Sequence, residues 1–568
     1  MSGRSDRWHI YGLALREAGR ALRDGARRAL GIGAVRKRVP ERLLIVPPDL
    51  RTSDATIAND IYAGSFVFGG RAVTTGGRSP FTLTPPSRHW AELLYGFGWL
   101  RHLRAADTAL ARANARALVG EFLSRQPDPV ARGTDVAARR VIAFLSQSPL
   151  ILDGADHAFY HKLMRALGRD LRRLQRAMLS HPRPLARLRA AVAVTYAGLS
   201  LEGFEGVARR ASRILARELD AQILPDGGHV GRNPKTVLEL LLDLLPLKQV
   251  YLARGIEPPG ELLQALDRIP PLLRLMRHGD GTLALFNGMG STPVDHLTTL
   301  LFYDEARGSP LQRALVSGFE RIEARDALLI ADTGACPPAI HAAEAGAGPG
   351  AFEFSVRGQR MIVNCGAPRG HDDPIALPAR STAAHSTLGI ADTSCAQFLT
   401  ETGWIGRRLV ARWLIRRLGP VMLRGPRAVR VERPSPLRFR MSHDGYAPAF
   451  GITHERRVTL APDGDMLEGE DRLEGDFTGA PATRAEIRFH LHPAIRASLA
   501  QAGRIAMLVL PDGETWQARA PGLTFALKES VFLAATDGAR KSEQLVLRFD
   551  LSGAAPVQWR FERLTGAR

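Results

Sequence analysis

The 568-residue sequence is poor in cysteine, which limits the classes of protein to which it can belong. Its three cysteines, Cys336, Cys365 and Cys395, lie far apart and form no CxxC pair. This spacing argues against a zinc ribbon and against a small disulfide-stabilised scaffold, although one pair could form a bridge and leave the third thiol free.

Long apolar runs are also missing, since no stretch approaches the roughly 20 apolar residues that a membrane-spanning helix needs. Hydrophobic residues make up 45% and charged residues 24% of the chain, which is typical of a globular protein. At this length the chain can form two domains, each with its own core.

Acidic residues are scarce relative to basic ones. There are 57 Asp and Glu against 77 Lys and Arg, which gives a formal net charge of +20. Any polymeric partner is therefore expected to be an anion, such as nucleic acid, anionic lipid or acidic polysaccharide. Nucleic acid is rejected because the basic residues are dispersed, with no recognised binding motif and no aromatic stripe for stacking bases.

The N-terminal segment, residues 1–44, is strongly basic and lacks the continuous apolar region of a secretory signal peptide. It predicts a helix in which an apolar face lies beside a stripe of arginines. The apolar face contains Tyr11, Leu15, Ala18, Leu22 and Ala29, and the stripe contains Arg16, Arg20, Arg23 and Arg27. Such a helix can contact an anionic membrane surface peripherally. The alternative is a solvated helix that packs on the neighbouring domain.

Hydrophobic periodicity divides the rest of the chain into two halves. From about residue 87 to 305 apolar residues recur at three- and four-residue spacings, in segments separated by short Gly, Pro and Asp breaks. Serial helical hairpins of this kind predict a solenoid or a closed toroid. After about residue 325 short alternating runs with turns such as "PDGD" and "PDGE" predict an antiparallel β-sandwich. The boundary is expected near residues 306–325.

Several stretches of the second half, among them "FEFSVRGQRMIVNCGAP", "ARSTAAHSTLGIAD" and "RFHLHP", resemble consecutive blocks of the heparinase II/III-like polysaccharide lyases. The resemblance implies a multidomain α and β protein: an N-terminal (α/α) toroid of helical hairpins at residues 45–320, followed by an antiparallel β-sandwich at 325–568. It also implies β-elimination of a uronic-acid polymer in the cleft between the two. One group neutralises the carboxylate, a base removes the C5 proton, and an acid protonates the departing O4.

The stretch "DGGHVGRNPKT", residues 226–236, interrupts the helical half and resembles the family's pattern D-G-G-x-x-E-R-S-P-x-Y. Gly231 stands in place of the Glu, Asn233 in place of the Ser, and Thr236 in place of the Tyr, so the usual phenol is missing. In the sandwich, Gly346 occupies the place of the family's histidine, and His341 is a candidate replacement.

The resemblance and the residue types together give the predicted site. Asn233 and Pro234 are expected to cap and start a helix, whose N-terminus beside an arginine suits a carboxylate. His181 lies 55 positions before Thr236, where the family has an Asn or His, and Arg380 and His385 match the family element R-x-T-x-x-H-N-T-L. The predicted catalytic residues are His229, His181 and His385, and the predicted substrate-binding residues are Arg232, Asn233, Arg380 and Tyr446. The alternative is that residues 226–236 form only a capped turn whose charged side chains face water.

The predicted function is a lyase-like protein that acts on an anionic, uronic-acid-containing polysaccharide. The alternative is a non-catalytic glycan-binding or envelope polysaccharide assembly protein that kept the fold and lost the usual Tyr and His. No cofactor is expected, although His490 and His492 with Asp392 or His385 could hold a structural metal such as zinc. The resemblance implies the cell envelope or periplasm, and the missing export signal leaves the cytoplasm as an alternative.

Overall fold

The computed structural model describes residues 2–29, 39–126, 128–303, 308–370, 372–401, 405–475, 484–551 and 555–564. In the first of these ranges, side chains are described from His9 to Ala26 and at Ala29. The helical half and the strand-rich half are described in turn below.

Fifteen α-helices lie in these residues, thirteen of them before residue 303. The helices are α1 (Ser2–Ala29), α2 (Thr56–Tyr62), α3 (Arg88–Gly96), α4 (Leu100–Ala106), α5 (Ala109–Ser124), α6 (Thr134–Ser146), α7 (Ser148–Leu152), α8 (His157–Ser180), α9 (Pro184–Ser200), α10 (Glu205–Gln222), α11 (Pro234–Ala253), α12 (Gly260–Leu275), α13 (Val294–Phe302), α14 (Ile405–Leu418) and α15 (Ala447–Phe450). None of the described helices combines the length and apolar character that crossing a membrane requires.

The helical half is built around α9, which is buried along most of its length. From Ala190 onward its sequence is almost entirely apolar on every face, and such a stretch must be surrounded by other helices. Helices α6, α8, α10 and α11 pack around it. Amphipathic helices such as α8 and α10 turn their charged faces outward, which completes the layered arrangement of helical hairpins.

Twenty-one strands lie in the described residues. They are β1 (Ser65–Phe68), β2 (Arg71–Thr74), β3 (Arg313–Ala314), β4 (Phe319–Ala324), β5 (Ala327–Asp332), β6 (Phe352–Val356), β7 (Gln359–Val363), β8 (Leu388–Ile390), β9 (Gln397–Phe398), β10 (Met422–Arg424), β11 (Val429–Ser435), β12 (Arg438–His443), β13 (Thr453–Leu460), β14 (Met466–Glu474), β15 (Arg484–Leu491), β16 (Arg496–Ala500), β17 (Ile505–Val509), β18 (Thr515–Arg519), β19 (Phe525–Phe532), β20 (Arg540–Asp550) and β21 (Val557–Arg563).

Two large antiparallel sheets form the second half. One has eight strands in the order β11-β12-β13-β14-β21-β18-β17-β16, and the other has nine, in the order β19-β20-β15-β7-β6-β5-β4-β3 with β8 pairing with β15. Aromatic residues from both sheets meet in the core: the Phe352 ring stacks on Trp559 with centroids 5.5 Å apart, and Phe489 contacts Phe561 at 5.1 Å. The predicted fold class, a helical toroid followed by an antiparallel β-sandwich, is confirmed, and the predicted domain limits stay predictions.

The N-terminal helix α1, predicted from its periodicity, packs against α14 of the strand-rich half. Ile10 and Leu13 form a small apolar cluster with Ala411, Leu414 and Leu418 of α14 and with two residues next to strands β9 and β10, Leu399 and Val421. Glu17 is fully buried beside this cluster and pairs with Arg417 of α14 at 3.0 Å. The helix therefore buries the face containing Ile10 and Leu13, while Leu15 and Leu22 of the predicted apolar face stay exposed.

Candidate functional site

The chain segment between α10 and α11 leaves the helical half in order to reach the sandwich. Asp226 accepts hydrogen bonds from the backbone N–H groups of Val316 and Ser317, at 2.8 and 2.7 Å. Gly227 follows with φ of +85°, and a Cβ there would lie 2.0 Å from the carbonyl oxygen of Arg268. The paired glycines are thus required by a close backbone approach, which explains why the helical sequence stops here.

His229 lies in this segment and is buried. Its Nδ1 accepts a hydrogen bond from the N–H of Gly231 at 2.9 Å, and its Nε2 lies 3.2 Å from Oε1 of Gln222. Because Nδ1 is an acceptor, the neutral ring carries its proton on Nε2 and donates it to Gln222. Burial, reinforced by the nearby His341, lowers the pKa of His229 to about 3. The ring is therefore neutral, and both of its nitrogens are engaged.

Arg232 joins the two halves of the protein. Its backbone has φ of +61°, and its guanidinium donates to the carbonyl oxygens of Ser317 at 2.7 Å and Gly318 at 3.0 Å. It also forms a buried ion pair with Asp332, whose second oxygen accepts from Asn287 at 2.9 Å. Acceptors of the sandwich satisfy these donors, so the Arg232 guanidinium connects the helical half to the sandwich.

Asn233 and Pro234 start α11 as predicted. The Asn233 Oδ1 accepts from the N–H of Lys235 at 2.9 Å, and Pro234 is the first helical residue. The side-chain amide of Asn233 donates to Oε2 of Glu344 at 2.6 Å, which ties the helix start to a loop of the sandwich. Thr236, where the family has its tyrosine, is buried in the first turn of the helix.

His181 and His341 are the half-buried histidines of the same region. The His341 ring, at the end of a short 3-10 helix (Ala339–His341), lies 6.0 Å from the His229 ring between centroids. Arg187 of α9 donates to the carbonyl oxygen of His181 at 3.1 Å. Burial, followed by the charge of Arg187, lowers the pKa of His341 to about 4, and burial followed by Arg183 lowers the pKa of His181. The structure thus brings His181, His229 and His341 to the boundary between helices and sandwich, where the family resemblance implies the cleft.

A set of ion pairs that sequence reasoning missed lies at the same boundary between helices and sandwich. Arg189 of α9 pairs with Glu239 of α11 at 2.6 Å and with Asp135 of α6 at 3.3 Å. The charge of Glu344 also acts on Arg189, whose pKa is raised by these carboxylates against the effect of burial. Each of these residues lies near the first turn of a different helix or in a loop, so only the helical packing reveals their proximity.

The predicted residues of the sandwich are held by its own backbone. His385 is buried and its Nδ1–H donates to the carbonyl oxygen of Ser381 at 2.7 Å. Arg380 donates to the carbonyl oxygens of Ala345 and Ala342, both at 2.8 Å, and the Tyr446 hydroxyl donates to that of Leu388 at 2.7 Å from within the core. All of these hydrogen bonds are made to backbone carbonyl groups of the strand-rich half.

Gly346, which stands in place of the family's histidine, packs against His385. A Cβ at residue 346 would lie 2.7 Å from Nε2 of His385, and one at Gly348 would lie 2.5 Å from Cδ2 of the same ring. The two glycines and the buried histidine therefore form one packed unit, in which the imidazole fills the space beside the glycine backbone.

The residues considered for a metal site make other contacts. His490 is buried, with Nδ1 2.7 Å from the Ser530 hydroxyl and Nε2 3.0 Å from the carbonyl oxygen of Ala383. His492 packs on Phe532, with centroids 5.0 Å apart, and the Asp392 side chain is exposed. Within the described residues no group of three or more His, Cys, Asp or Glu side chains is arranged to hold a metal ion.

A groove of about 950 Å³ lies elsewhere, on the solvent face of the eight-stranded sheet. Its lining includes five arginines and two glutamates: Arg438, Arg457, Arg504, Arg519, Arg560, Glu468 and Glu470. None of the residues predicted for the site lines this groove, so the cleft and the groove are separate features of the surface.

Comparison with known proteins matches the second half to a family and nearly the full chain to a curated relative. Residues 306–560 match the family described as Heparinase II/III-like, C-terminal. A curated relative, FtsZ-localized protein C from Caulobacter vibrioides (strain NA1000 / CB15N), is 31% identical over 546 residues, which cover 93% of this chain and 91% of the relative.

Solved structures resemble the whole chain at lower identity. The crystal structure of heparinase III superposes with a TM-score of 0.65 and 12% identity, and covers 87% of this chain and 81% of its own. Heparan sulfate lyase HepC from Pedobacter heparinus has a TM-score of 0.56 at 13% identity and covers 92% and 85%. At this identity the likeness establishes the fold alone.

Proposed function

Since this chain belongs to the heparinase II/III-like family, we propose that it is a non-catalytic member, an assembly protein of the cell envelope that associates with FtsZ at the site of division. The chain has the scaffold of a polysaccharide lyase, a helical toroid joined to a β-sandwich. In the proposed role the cleft between them keeps its shape and charge but carries out no elimination.

The observation that carries this proposal is the state of His229. A base must have a free nitrogen lone pair within reach of the C5 proton. The lone pair of His229 accepts the Gly231 N–H, and its N–H faces Gln222 inside the protein. Thr236 supplies no phenol to act as the acid, and Gly346 has no side chain beyond its backbone. Two of the three proton-transfer positions of the family are therefore replaced. The nearby imidazole of His229 uses both nitrogens in hydrogen bonds inside the protein.

The relative from Caulobacter supports the second half of the proposal. Its name states that it localises with FtsZ, and the 31% identity extends over nearly the full length of both chains. The similarity therefore extends to both halves of the chain and is not confined to the strand-rich half. A partner recognised by such surfaces is thus a reasonable partner for this chain too.

A fluorescent fusion of the full chain, expressed in its own bacterium beside labelled FtsZ, tests the proposal. We expect a band at mid-cell that coincides with FtsZ and disperses when FtsZ is depleted. The double variant His181→Ala/His341→Ala should form the same band, because localisation does not use the cleft histidines. A diffuse signal, or a band that persists without FtsZ, would contradict the proposal.

The second candidate is a lyase with a rebuilt set of acid and base, and the geometry of His181 and His341 favours it. Both rings are half-buried, and both have pKa values lowered below the usual range, so they are neutral at pH 7. Arg187 donates to the carbonyl oxygen of His181, and its charge acts on His341, so a uronate carboxylate there would compete with Glu218, which pairs with Arg187 at 2.8 Å.

This second candidate is tested by the ultraviolet absorbance of a 4,5-unsaturated uronate, using heparan, chondroitin, hyaluronan, alginate and bacterial exopolysaccharides. The rebuilt lyase predicts a rise in absorbance that His181→Ala and His341→Ala each abolish. The non-catalytic proposal predicts no rise with any polymer, and saturable binding to one of them would identify the glycan that the cleft retains.

A further inference from the structure

The groove on the solvent face of the eight-stranded sheet has a lining unlike that of a small-molecule pocket. Its volume of about 950 Å³ is that of pockets that enclose drug-sized ligands, which are lined mainly by apolar and aromatic side chains. Here the exposed side chains of the lining are mostly charged or polar. The tryptophan of the lining, Trp559, is 1% exposed and stacks on Phe352 in the core. Such a lining suits an extended and charged ligand.

Strand register places five residues of the lining in one row across the sheet, each directly opposite the next. In the order β12, β13, β14, β21 and β18, the row contains Arg438, Thr459, Glu468, Arg560 and Arg519. Neighbouring strands are about 4.8 Å apart, so four strand spacings give the row a length of about 19 Å. A linear ligand that lies along the row therefore crosses the strands and meets these side chains in turn.

Arg519 and Arg560 form a like-charge pair at one end of the row. Residues directly opposite each other in an antiparallel ladder have Cβ atoms about 5 Å apart, and two cations at this separation destabilise the sheet. Arg519 donates to Oε1 of Gln517 at 3.0 Å, and neither guanidinium forms an ion pair with a carboxylate of the described residues. An anionic ligand would neutralise the positive potential of this pair.

The unpaired charges of the groove are mainly cationic. Arg457 is paired, with Glu455 at 3.0 Å and with Glu470 at 3.6 Å. Four guanidinium groups of the lining have no carboxylate partner in the part of the chain that the structure describes, namely those of Arg438, Arg504, Arg519 and Arg560. Glu468 is an unpaired carboxylate of the same lining and is exposed in the middle of the row. The groove therefore has a local excess of positive charge around one anionic group.

The rim of the groove contains a turn with left-handed backbone. Gln501, Ala502 and Gly503 have φ values of +51°, +53° and +83°. This conformation is unfavourable for residues that carry a side chain, and it persists where the surrounding structure fixes it, often at ligand sites. The turn places the exposed Arg504 at the edge of the groove, on the side where β17 pairs with β18 and Arg519. The cationic end of the row is thus extended by a further arginine.

We propose that this groove binds an acidic polysaccharide, a linear chain of sugars that carries carboxylate groups among its hydroxyl groups. The carboxylates accept hydrogen bonds from the guanidinium groups of Arg519 and Arg560, in the bidentate geometry that arginine favours. Sugar hydroxyls donate to Glu468 and to the side-chain oxygen of Gln558. The site lies on the outer face of the sandwich, away from the residues predicted for the cleft, and it does not depend on the proposed association with FtsZ.

The carboxylate within the row selects a sugar chain over other anionic chains. A polyphosphate or a polyglutamate has an anionic group at every repeat and no hydroxyl group, so Glu468 would repel it. A sugar chain offers hydroxyl donors between its anionic groups, and Thr459 and Gln558 can exchange hydrogen bonds with them. Because no aromatic ring is exposed in the described lining, recognition depends on charge and hydrogen bonds, and neutral sugars should bind weakly.

Fluorescence anisotropy of a labelled oligogalacturonate octamer, titrated with the full chain, tests the proposal. The wild type should bind the octamer saturably and about tenfold or more tightly than labelled maltooctaose, which has the same length and no carboxylate. Arg519→Gln/Arg560→Gln should weaken binding of the octamer by about tenfold or more, because both guanidinium groups contact carboxylates. Absence of saturable binding to the wild type would overturn the proposal.

The matched control removes two positive charges elsewhere. Arg209→Gln/Arg213→Gln changes exposed arginines of α10 and should bind the octamer as the wild type does. The melting temperature of Arg519→Gln/Arg560→Gln should equal or exceed that of the wild type, because the substitution removes a like-charge pair. Wild-type affinity of this folded variant for the octamer would place the sugar elsewhere on the protein and would contradict the proposal.

A labelled polyglutamate of equal charge separates a sugar site from a general anion site. We expect the wild type to bind it about tenfold more weakly than the octamer. Glu468→Gln should strengthen the binding of polyglutamate, because the repulsion is removed, and should not strengthen the binding of the octamer, because a hydroxyl acceptor is weakened. Polyglutamate binding as tight as that of the octamer would show that the groove recognises charge alone, and the assignment to a polysaccharide would be wrong.

Discussion

At residue scale, His229 has a side chain that could act as a catalytic base, but both of its ring nitrogens are used in hydrogen bonds inside the protein. The segment "DGGHVGRNPKT" predicted a cap at Asn233 correctly, because capping depends on residues that are adjacent in sequence. The partners of His229 could not be read in the same way. Gln222 lies in the preceding helix, and His341 comes from another domain.

Buried neutral histidines make the stability of this protein sensitive to acid. His229 and His490 have folded pKa values of about 3, whereas the same groups titrate near 6.5 in an unfolded chain. As the pH falls below about 6.5, these histidines become protonated in the unfolded state but stay neutral in the folded state. The free energy of unfolding therefore decreases, by about 2 kcal/mol per buried histidine at pH 5.

Urea unfolding at pH 8, 6.5 and 5 measures this loss. We expect His229→Gln to lose less unfolding free energy between pH 8 and pH 5 than the wild type, by the contribution of one buried histidine. The reason is that glutamine can accept the Gly231 N–H without titrating. Leu110→Gln, an exposed control that removes no titratable group, should leave the dependence unchanged. Equal slopes for the wild type and His229→Gln would show that His229 is not a buried neutral histidine.

Restoring the family's histidine at residue 346 should be unfavourable. The new Cβ would lie 2.7 Å from Nε2 of His385, which is closer than packed atoms allow, so Gly346→His should cost about 1–3 kcal/mol of unfolding free energy. Adding His385→Ala should recover part of this loss. Gly260→His, at the open start of α12, should cost less than about 0.5 kcal/mol in the same urea titration. A stable Gly346→His protein would show that the packed unit is not rigid.

At the scale of elements, the sequence predicted most helices and the antiparallel strands, because both follow periodic patterns of apolar residues. It missed α14. The run "IGRRLVARWLIRRL" is helical inside a strand-rich half, and its apolar residues do not form a single core-facing stripe. The cleft ion pairs were missed for a similar reason, since Asp135, Arg189 and Glu239 come from three helices.

The contact between the two halves depends on Arg232 and Asp332, an ion pair buried on both sides. Arg232→Met should leave Asp332 as an uncompensated buried charge and destabilise the protein by about 3–5 kcal/mol. Arg88→Met, which breaks an exposed pair with Glu92, should cost less than about 1 kcal/mol. Urea unfolding of the two variants makes the comparison, and equal losses would mean that Arg232 does not fasten the domains.

At the scale of the whole molecule, the excess of basic residues and the lyase fold bear on different questions, the first on the kind of partner and the second on the architecture. The net charge of +20 indicated an anionic partner without locating the surface that meets it. The fold places charged groups in a cleft, on the sandwich sheet and on α1 and α14. Sequence resemblance therefore predicted the architecture well. It could not predict the hydrogen bonds of the candidate catalytic residues, because their partners come from distant segments of the chain.

The central claim is that this lyase scaffold serves assembly with FtsZ, and co-sedimentation of the purified full chain with FtsZ filaments in the absence of lipid tests it most directly. We predict saturable pelleting with assembled FtsZ, little pelleting with unassembled FtsZ, and unchanged pelleting of the His181→Ala/His341→Ala variant. Absence of pelleting with assembled FtsZ at saturating concentration would contradict the account.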